Sequence, residues 1–233
     1  MGEEKINKKL FTDRKRTNIL ANPEQQLITY LVPRIPTFIT SNGLTAIGTL
    51  GSILIFVSFI LAKYVAVSYL LLGILGFAIN WFGDSLDGRI AYYRNTPRKW
   101  YGFSLDIIMD WVSTVLIGAG YMVYCDGIFE ISAYVFVVFY GWAMIISQLR
   151  YKITDSYSID AGLVGPTEIR VIIGLMLISE VIFPGVLNYL VIVICVILFI
   201  INLIDTNKLL DFGNLRDQEE KAEKLKAEKN KKD

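Results

Sequence analysis

The chain reads as an all-α, polytopic membrane protein: six transmembrane helices, with an amphipathic surface helix ahead of them. Three observations predict this. The 233 residues are 54% hydrophobic and the mean hydropathy is positive, the balance of an integral membrane protein and not of a soluble domain. Apolar residues gather into six segments near 43–62, 67–90, 103–124, 129–149, 167–183 and 186–205. Each is long enough, at about 1.5 Å per residue, to cross all or most of a ~30 Å hydrocarbon core. Finally, the basic residues fall almost entirely on one side of this arrangement.

Residues 1–40 form a cytoplasmic N-terminal segment, with charge and prolines but no apolar core of a cleavable signal. Within it, residues 22–36 mix polar and apolar side chains and end at Pro33 and Pro36. They suit either a short amphipathic helix on the membrane surface or a linker packed on the bundle. Residues 41–207 form the six-helix domain. With an even number of spans, both termini share one face with the loops holding Arg94, Arg98 and Lys99, and Arg150 and Lys152. The opposite face has only Lys63, beside Asp126 and Glu130. The excess of Lys and Arg places that shared face, and both termini, in the cytoplasm. Residues 208–233 are a charged cytoplasmic tail, with Glu220–Lys224 and Glu228–Lys232 at helical spacing. No site is expected in it.

Composition also excludes chemistry. There is no histidine, so imidazole acid–base catalysis is ruled out. The two cysteines, Cys125 and Cys195, cannot build a zinc site and are expected as buried free thiols. Trp81, Trp100 and Trp142 read as interface or packing aromatics. No nucleic-acid partner is expected.

The residues that carry chemistry lie in segments two and three. Asp84, Asp87, Asp106 and Asp110 stand between long apolar runs, where one aspartate at a membrane helix centre costs ~2.5–3.5 kcal/mol on insertion scales. Asp84 and Asp87 are three apart and Asp106 and Asp110 four apart, so each pair shares a helix face. In an antiparallel hairpin turning near Pro97 the four fall at two matched depths. If the faces meet, they form one cage of hard oxygen donors suited to Mg²⁺ or Mn²⁺, and two such ions can clamp a phosphoryl group. Gly88 and Gly102, with the small Ala91, would let a ligand approach the helix backbone. Close helix packing is the alternative for each glycine.

These residues resemble the signature of the CDP-alcohol phosphotransferase family, D-x-x-D-G-x-x-A-R followed by G-x-x-x-D-x-x-x-D, through Asp84, Asp87, Gly88, Ala91, Gly102, Asp106 and Asp110. Ser41-Asn42-Gly-Leu-Thr45 is similar to the family's common N-x-L-T start. Two departures stand out. Tyr92 occupies the arginine position, and the gap from Ala91 to Gly102 is one residue longer than usual. Arg94, or Arg89, is expected to supply the missing charge to the diphosphate.

The resemblance implies a membrane enzyme that transfers a phosphatidyl group from CDP-diacylglycerol to a small hydroxyl acceptor and releases CMP. Two divalent ions, Mg²⁺ or Mn²⁺, would be held by Asp84, Asp87, Asp106 and Asp110, with Asp110 as the base. The CDP unit would lie against Asp84, Gly88, Ala91, Arg94 and Gly102. The partners implied are a CDP-linked lipid, a small alcohol and membrane lipid, with a homodimer as the family's common state. The alternative is transfer of a phospho-head group from a CDP-linked small alcohol to a lipid hydroxyl. A more distant alternative, a divalent-cation transporter, requires acidic groups spread across the bilayer.

Acceptor recognition is expected from Glu168 and Arg170, which enter segment five beside the site, and from Arg150 and Lys152 after segment four. Helix capping by Thr167 and positive-inside anchoring are the plainer roles for this region. Glu180, near the far end of segment five, is expected to be partnered or to face water.

Overall fold

The computed structural model describes residues 19–154 and 165–229. Among them there are helices and no strands. Helix α1 (Ala21–Leu31) precedes α2 (Ser41–Tyr64), α3 (Leu70–Tyr93), α4 (Lys99–Tyr124), α5 (Phe129–Thr154), α6 (Pro166–Ile182) and α7 (Val186–Lys229). Among the described residues five spans are long and apolar enough to cross a membrane: Ser41–Tyr64, Val67–Tyr93, Lys99–Tyr124, Phe129–Thr154 and Val186–Leu225. They fit an integral, multi-pass protein. The fifth apolar segment forms α6, a helix of 17 residues, about 26 Å long and the shortest of the apolar helices.

The closest packing is between α2 and α3. It depends on glycines: a Cβ on Gly83 would lie 2.3 Å from the backbone nitrogen of Gly48, and one on Gly51 would lie 2.4 Å from that of Asn80. Such contact is possible only where side chains are missing, the small-residue packing of membrane helices. Polar bonds then fix the register. Asn80 Nδ2 donates to the Gly48 carbonyl at 3.3 Å and to Ser52 Oγ at 3.0 Å, and Ser52 Oγ bonds Ser113 Oγ on α4 at 2.8 Å. Helices α2, α3 and α4 are thereby held together where the aspartates lie.

The ends of the helices explain several isolated residues. Thr40 caps α2, its Oγ1 accepting from the Gly43 N–H at 3.1 Å. Glu180 is partnered, as expected. Its carboxylate accepts from the Tyr124 hydroxyl at 2.6 Å and from the N–H groups of Gly185 and Leu187 at 2.8 and 2.7 Å, tying α4 to the start of α7. Lys63 pairs with Asp126 at 2.5 Å. Cys125 and Cys195 are free and buried, and burial pushes the Cys125 thiol up to about 11.

Helix α7 runs without a break from the last apolar segment into the charged tail. Arg216 Nη1 donates to the Ile153 carbonyl at 2.8 Å, securing the tail against the end of α5, and its Nε lies 3.4 Å from Glu220. Lys232 lies outside the described residues, and with it the second tail pair.

Arg94 corrects one expectation. Its guanidinium donates to the carbonyls of Ile35, Pro36 and Ile39 at 3.1, 2.9 and 2.6 Å, and reaches that of Thr37 at 3.5 Å. These groups belong to the segment between α1 and α2, where Pro33 and Pro36 interrupt helical bonding and leave carbonyls without donors. The guanidinium fork is consumed in bracing that turn and does not line the cavity described below. Arg94→Gln is expected to lower the melting temperature, which a thermal shift assay checks.

Candidate active site

Helices α1 to α6 enclose a cavity of about 450 Å³, within the range of small-ligand sites. Four carboxylates line it (Glu24, Asp84, Asp87, Asp106), as do four cations (Arg89, Arg98, Lys99, Arg170). Asp106 and Asp84 continue into a small void beneath, also lined by Asp110, Asn80 and Ser113.

One carboxylate oxygen from each of Asp84, Asp106 and Asp110 lies within 4.8 Å of the other two. Helical spacing puts Asp106 and Asp110 on one face of α4, and α2, which packs against both α3 and α4, brings Asp84 opposite them. Three hard oxygen donors this close, next to open space, fit a Mg²⁺- or Mn²⁺-type ion that keeps waters and takes further ligands from a substrate. Asp87 lines the same cavity but stands outside this trio: its Oδ2 accepts from Thr45 Oγ1 at 2.6 Å. The expected cage of four is therefore a trio with a neighbour. The reason lies in α2, whose glycine contact with α3 delivers the Thr45 hydroxyl to Asp87.

Gly88 and Gly102 both line the cavity, and a Cβ on either would meet nothing within 4 Å. They contrast with the packed glycines of α2 and α3 and leave room for a ligand. Ala91 and Tyr92 line the same space. Arg98 does too. Its Nη2 donates to Asn42 Oδ1 at 2.5 Å, and its guanidinium lies 4.1 Å from the centre of the Tyr101 ring, whose hydroxyl meets Asn42 Nδ2 at 3.3 Å. Trp100, read from sequence as an interface or packing aromatic, is 64% exposed at the cavity rim.

The residues expected at the acceptor side separate. Arg170 reaches the site: Nη2 lies 2.5 Å from Asp84 Oδ2, and Nε donates to Asn80 Oδ1 at 2.9 Å. Glu168 does not line the cavity. Its carboxylate accepts from the N–H of Gly165 at 3.0 Å, capping α6, and from the N–H of Leu20 at 2.6 Å, anchoring the chain ahead of α1. Glu168 therefore does the capping expected of Thr167, and Thr167 lines the cavity instead. Arg150 lies 3.5 Å from Asp205 on α7, Lys152 is exposed, and neither lines the cavity.

Sequence reasoning missed Glu24 and Asn80, and gave Asn42 and Thr45 no role beyond their place in the N-x-L-T start. Asn80 carried a local signal, a polar residue one turn before Asp84 on the same face. The acids of this site gather beside one cavity, and Glu180, the other buried acid of α6, is occupied at the helix ends. A conduction path across the bilayer has no support in this arrangement.

No curated protein and no solved structure matches the chain. The family model described as CDP-alcohol phosphatidyltransferase matches residues 38–203, which hold α2 to α6, the aspartate trio and both open glycines. The chain belongs to that family, whose members are membrane transferases of substituted phosphate groups.

Proposed function

We propose that the protein transfers a phosphatidyl group from CDP-diacylglycerol to the hydroxyl of a small, water-soluble acceptor, releasing CMP. The observation that carries this reading is the convergence of Asp84, Asp106 and Asp110 at a cavity of ligand size.

Asp84, Asp106 and Asp110 would hold Mg²⁺ or Mn²⁺, with Asp87 completing the set through a second ion. Bound there, the ions supply charge neutralisation for the diphosphate and for the departing CMP oxygen. The protein's own part is positioning and proton transfer. The open backbone at Gly88 and Gly102 admits the diphosphate. Arg98, braced by Asn42 and Tyr101, takes the charge role vacated at Tyr92. Asp110 accepts the proton of the attacking hydroxyl as the new ester bond forms at phosphorus and the bond to the CMP oxygen breaks. Arg170 keeps Asp84 in place.

We infer that α6 is a sixth span. Its length lies at the lower end of the spanning range, and it packs against α3 and α7. Both termini and the cavity then face the cytoplasm, in agreement with the basic loops. Helix α1 buries Ala21 and Ile28 and leaves Leu27 and Tyr30 exposed, which suits a helix lying at the membrane surface.

The test incubates purified protein in lipid nanodiscs with CDP-diacylglycerol and a panel of hydroxyl acceptors. CMP release is expected with Mg²⁺ or Mn²⁺, to be abolished by EDTA and restored by either ion. Label from the diacylglycerol should appear in the new phospholipid. Label arriving only from a CDP-linked head group would show transfer in the opposite sense.

A further inference from the structure

Resting on the metal-assisted transfer above, we propose that Asn80 is a positioning residue for the ion site: it orients the Arg170 guanidinium, which in turn holds the Asp84 carboxylate in the trio. Asn80 lies one turn before Asp84 on α3 and is 8% exposed. Its amide has two N–H donors and a carbonyl oxygen, and each has a partner. Nδ2 donates to the Gly48 carbonyl at 3.3 Å and to Ser52 Oγ at 3.0 Å, both on α2, while Oδ1 accepts from Arg170 Nε at 2.9 Å. The Gly48 carbonyl can only accept, so the NH₂ end faces α2 and the oxygen faces α6. Reversed, the amide would set N–H against N–H at Arg170 and oxygen against oxygen at Gly48. The contact that fixes the register of α2 on α3 thus also decides where the amide presents its acceptor.

The guanidinium then meets α3 twice. Nε bonds Asn80, and Nη2 lies 2.5 Å from Asp84 Oδ2, so one edge of the planar fork spans a helical turn. A single ion pair would have to hold this long side chain against its rotational entropy. Two bonds on one edge fix its plane. With Oδ2 so held, Asp84 keeps its place beside Asp106 and Asp110, whose ligand oxygens lie within 4.8 Å of its own. Partners of this kind orient metal-binding carboxylates, and their loss typically costs about 10–100-fold in ion affinity or activity. Lysine cannot replace the arginine here, because an ammonium is a point charge without a fixed fork. Asn80 itself is neutral, so removing its side chain leaves the charge around an ion as it was and acts through geometry.

The experiment measures Mn²⁺ binding by electron spin resonance, without substrate, on the full chain in phosphatidylcholine nanodiscs. It compares the wild type with Asn80→Ala, Arg170→Lys, their combination and Ser52→Ala. Neither Asn80→Ala nor Arg170→Lys changes the formal charge, and each should raise the Mn²⁺ Kd about tenfold or more. The double variant should bind within about twofold of Arg170→Lys alone, because the amide acts through the guanidinium. Ser52→Ala removes one α2 partner of the amide but leaves the Gly48 contact that orients it, so its Kd should stay close to that of the wild type. CMP release by Asn80→Ala should fall at low Mn²⁺ and return toward the wild-type kcat at saturating Mn²⁺, a recovery that a displaced helix pair would not show. Additive losses in the double variant, an equal loss in Ser52→Ala, or an unchanged Kd in Asn80→Ala overturns the proposal while the transfer reading stands. A wild type that binds no Mn²⁺ overturns the proposal, and one that also releases no CMP overturns the transfer reading with it. Arg170→Lys removes the same Nε–Oδ1 bond from the α6 side and decides where Asn80→Ala does not fold: a tenfold rise in Kd, on the order expected above, sustains the proposal, and an unchanged Kd overturns it.

Discussion

Asp110→Asn is expected to lower kcat for CMP release by about 10²–10⁴-fold, the range lost with a general base, while the chain still folds and inserts. The substitution keeps the side chain's size and its place in the void under the cavity, beside Ser113 and Asn80, but removes the group that can take the hydroxyl proton. Raising Mg²⁺ should not restore the rate. Asp106→Asn should differ: removing one of three converging oxygens weakens ion binding, so activity should recover in part at high Mn²⁺, with the weaker site visible in the Mn²⁺ electron spin resonance titration. Asp84→Asn should behave differently again. Arg170 has only 15% side-chain exposure and ion-pairs with Asp84, so a neutral amide there leaves a guanidinium without its carboxylate, and stability falls along with activity. Unchanged CMP release in Asp110→Asn would remove the assigned base.

The fold was largely legible because membrane helices are long apolar runs bounded by charge, and six such runs became helices, all but the last within about five residues of their expected limits. What the runs could not show was continuity: α7 carries straight through Asp205 into the tail, because nothing there breaks a helix. The aspartates were legible through spacing within each helix. The separate placement of Asp87 was not, because it depends on Thr45, forty-two residues away, and on how closely α2 approaches. Arg94 and Glu168 show the same limit. Both look like ligands for phosphate or acceptor when read in the chain, and both are used for backbone groups left over at turns and helix ends. A turn's unmet carbonyls, or a helix start's free N–H groups, are visible only once the chain is folded.

Gly83→Ala and Gly88→Ala, five residues apart on one helix, are expected to fail in opposite ways. A methyl at position 83 would lie 2.3 Å from the Gly48 nitrogen and 2.4 Å from the Leu44 carbonyl oxygen. Both obstacles are backbone, so no rotamer change relieves them and α2 must move away from α3. Overpacking usually costs about 1–3 kcal/mol, and a backbone clash of this depth should reach the upper end or exceed it. Displacing α2 also withdraws Thr45 from Asp87 and Asn80 from Ser52, so Gly83→Ala should give little folded protein and a large fall in melting temperature. At position 88 the methyl meets nothing within 4 Å, and alanine is favoured over glycine within a helix by roughly 0.5–1 kcal/mol. Gly88→Ala should therefore fold as well as the wild type or slightly better. In the proposed transfer reaction the methyl stands where the diphosphate would approach the backbone, so the KM for CDP-diacylglycerol should rise about tenfold or more. Melting temperatures and initial rates on the two variants separate a glycine needed for packing from one needed for a ligand. A fully active Gly88→Ala would show that the diphosphate binds elsewhere in the cavity, and a stable Gly83→Ala would show that α2 and α3 do not touch as closely as described.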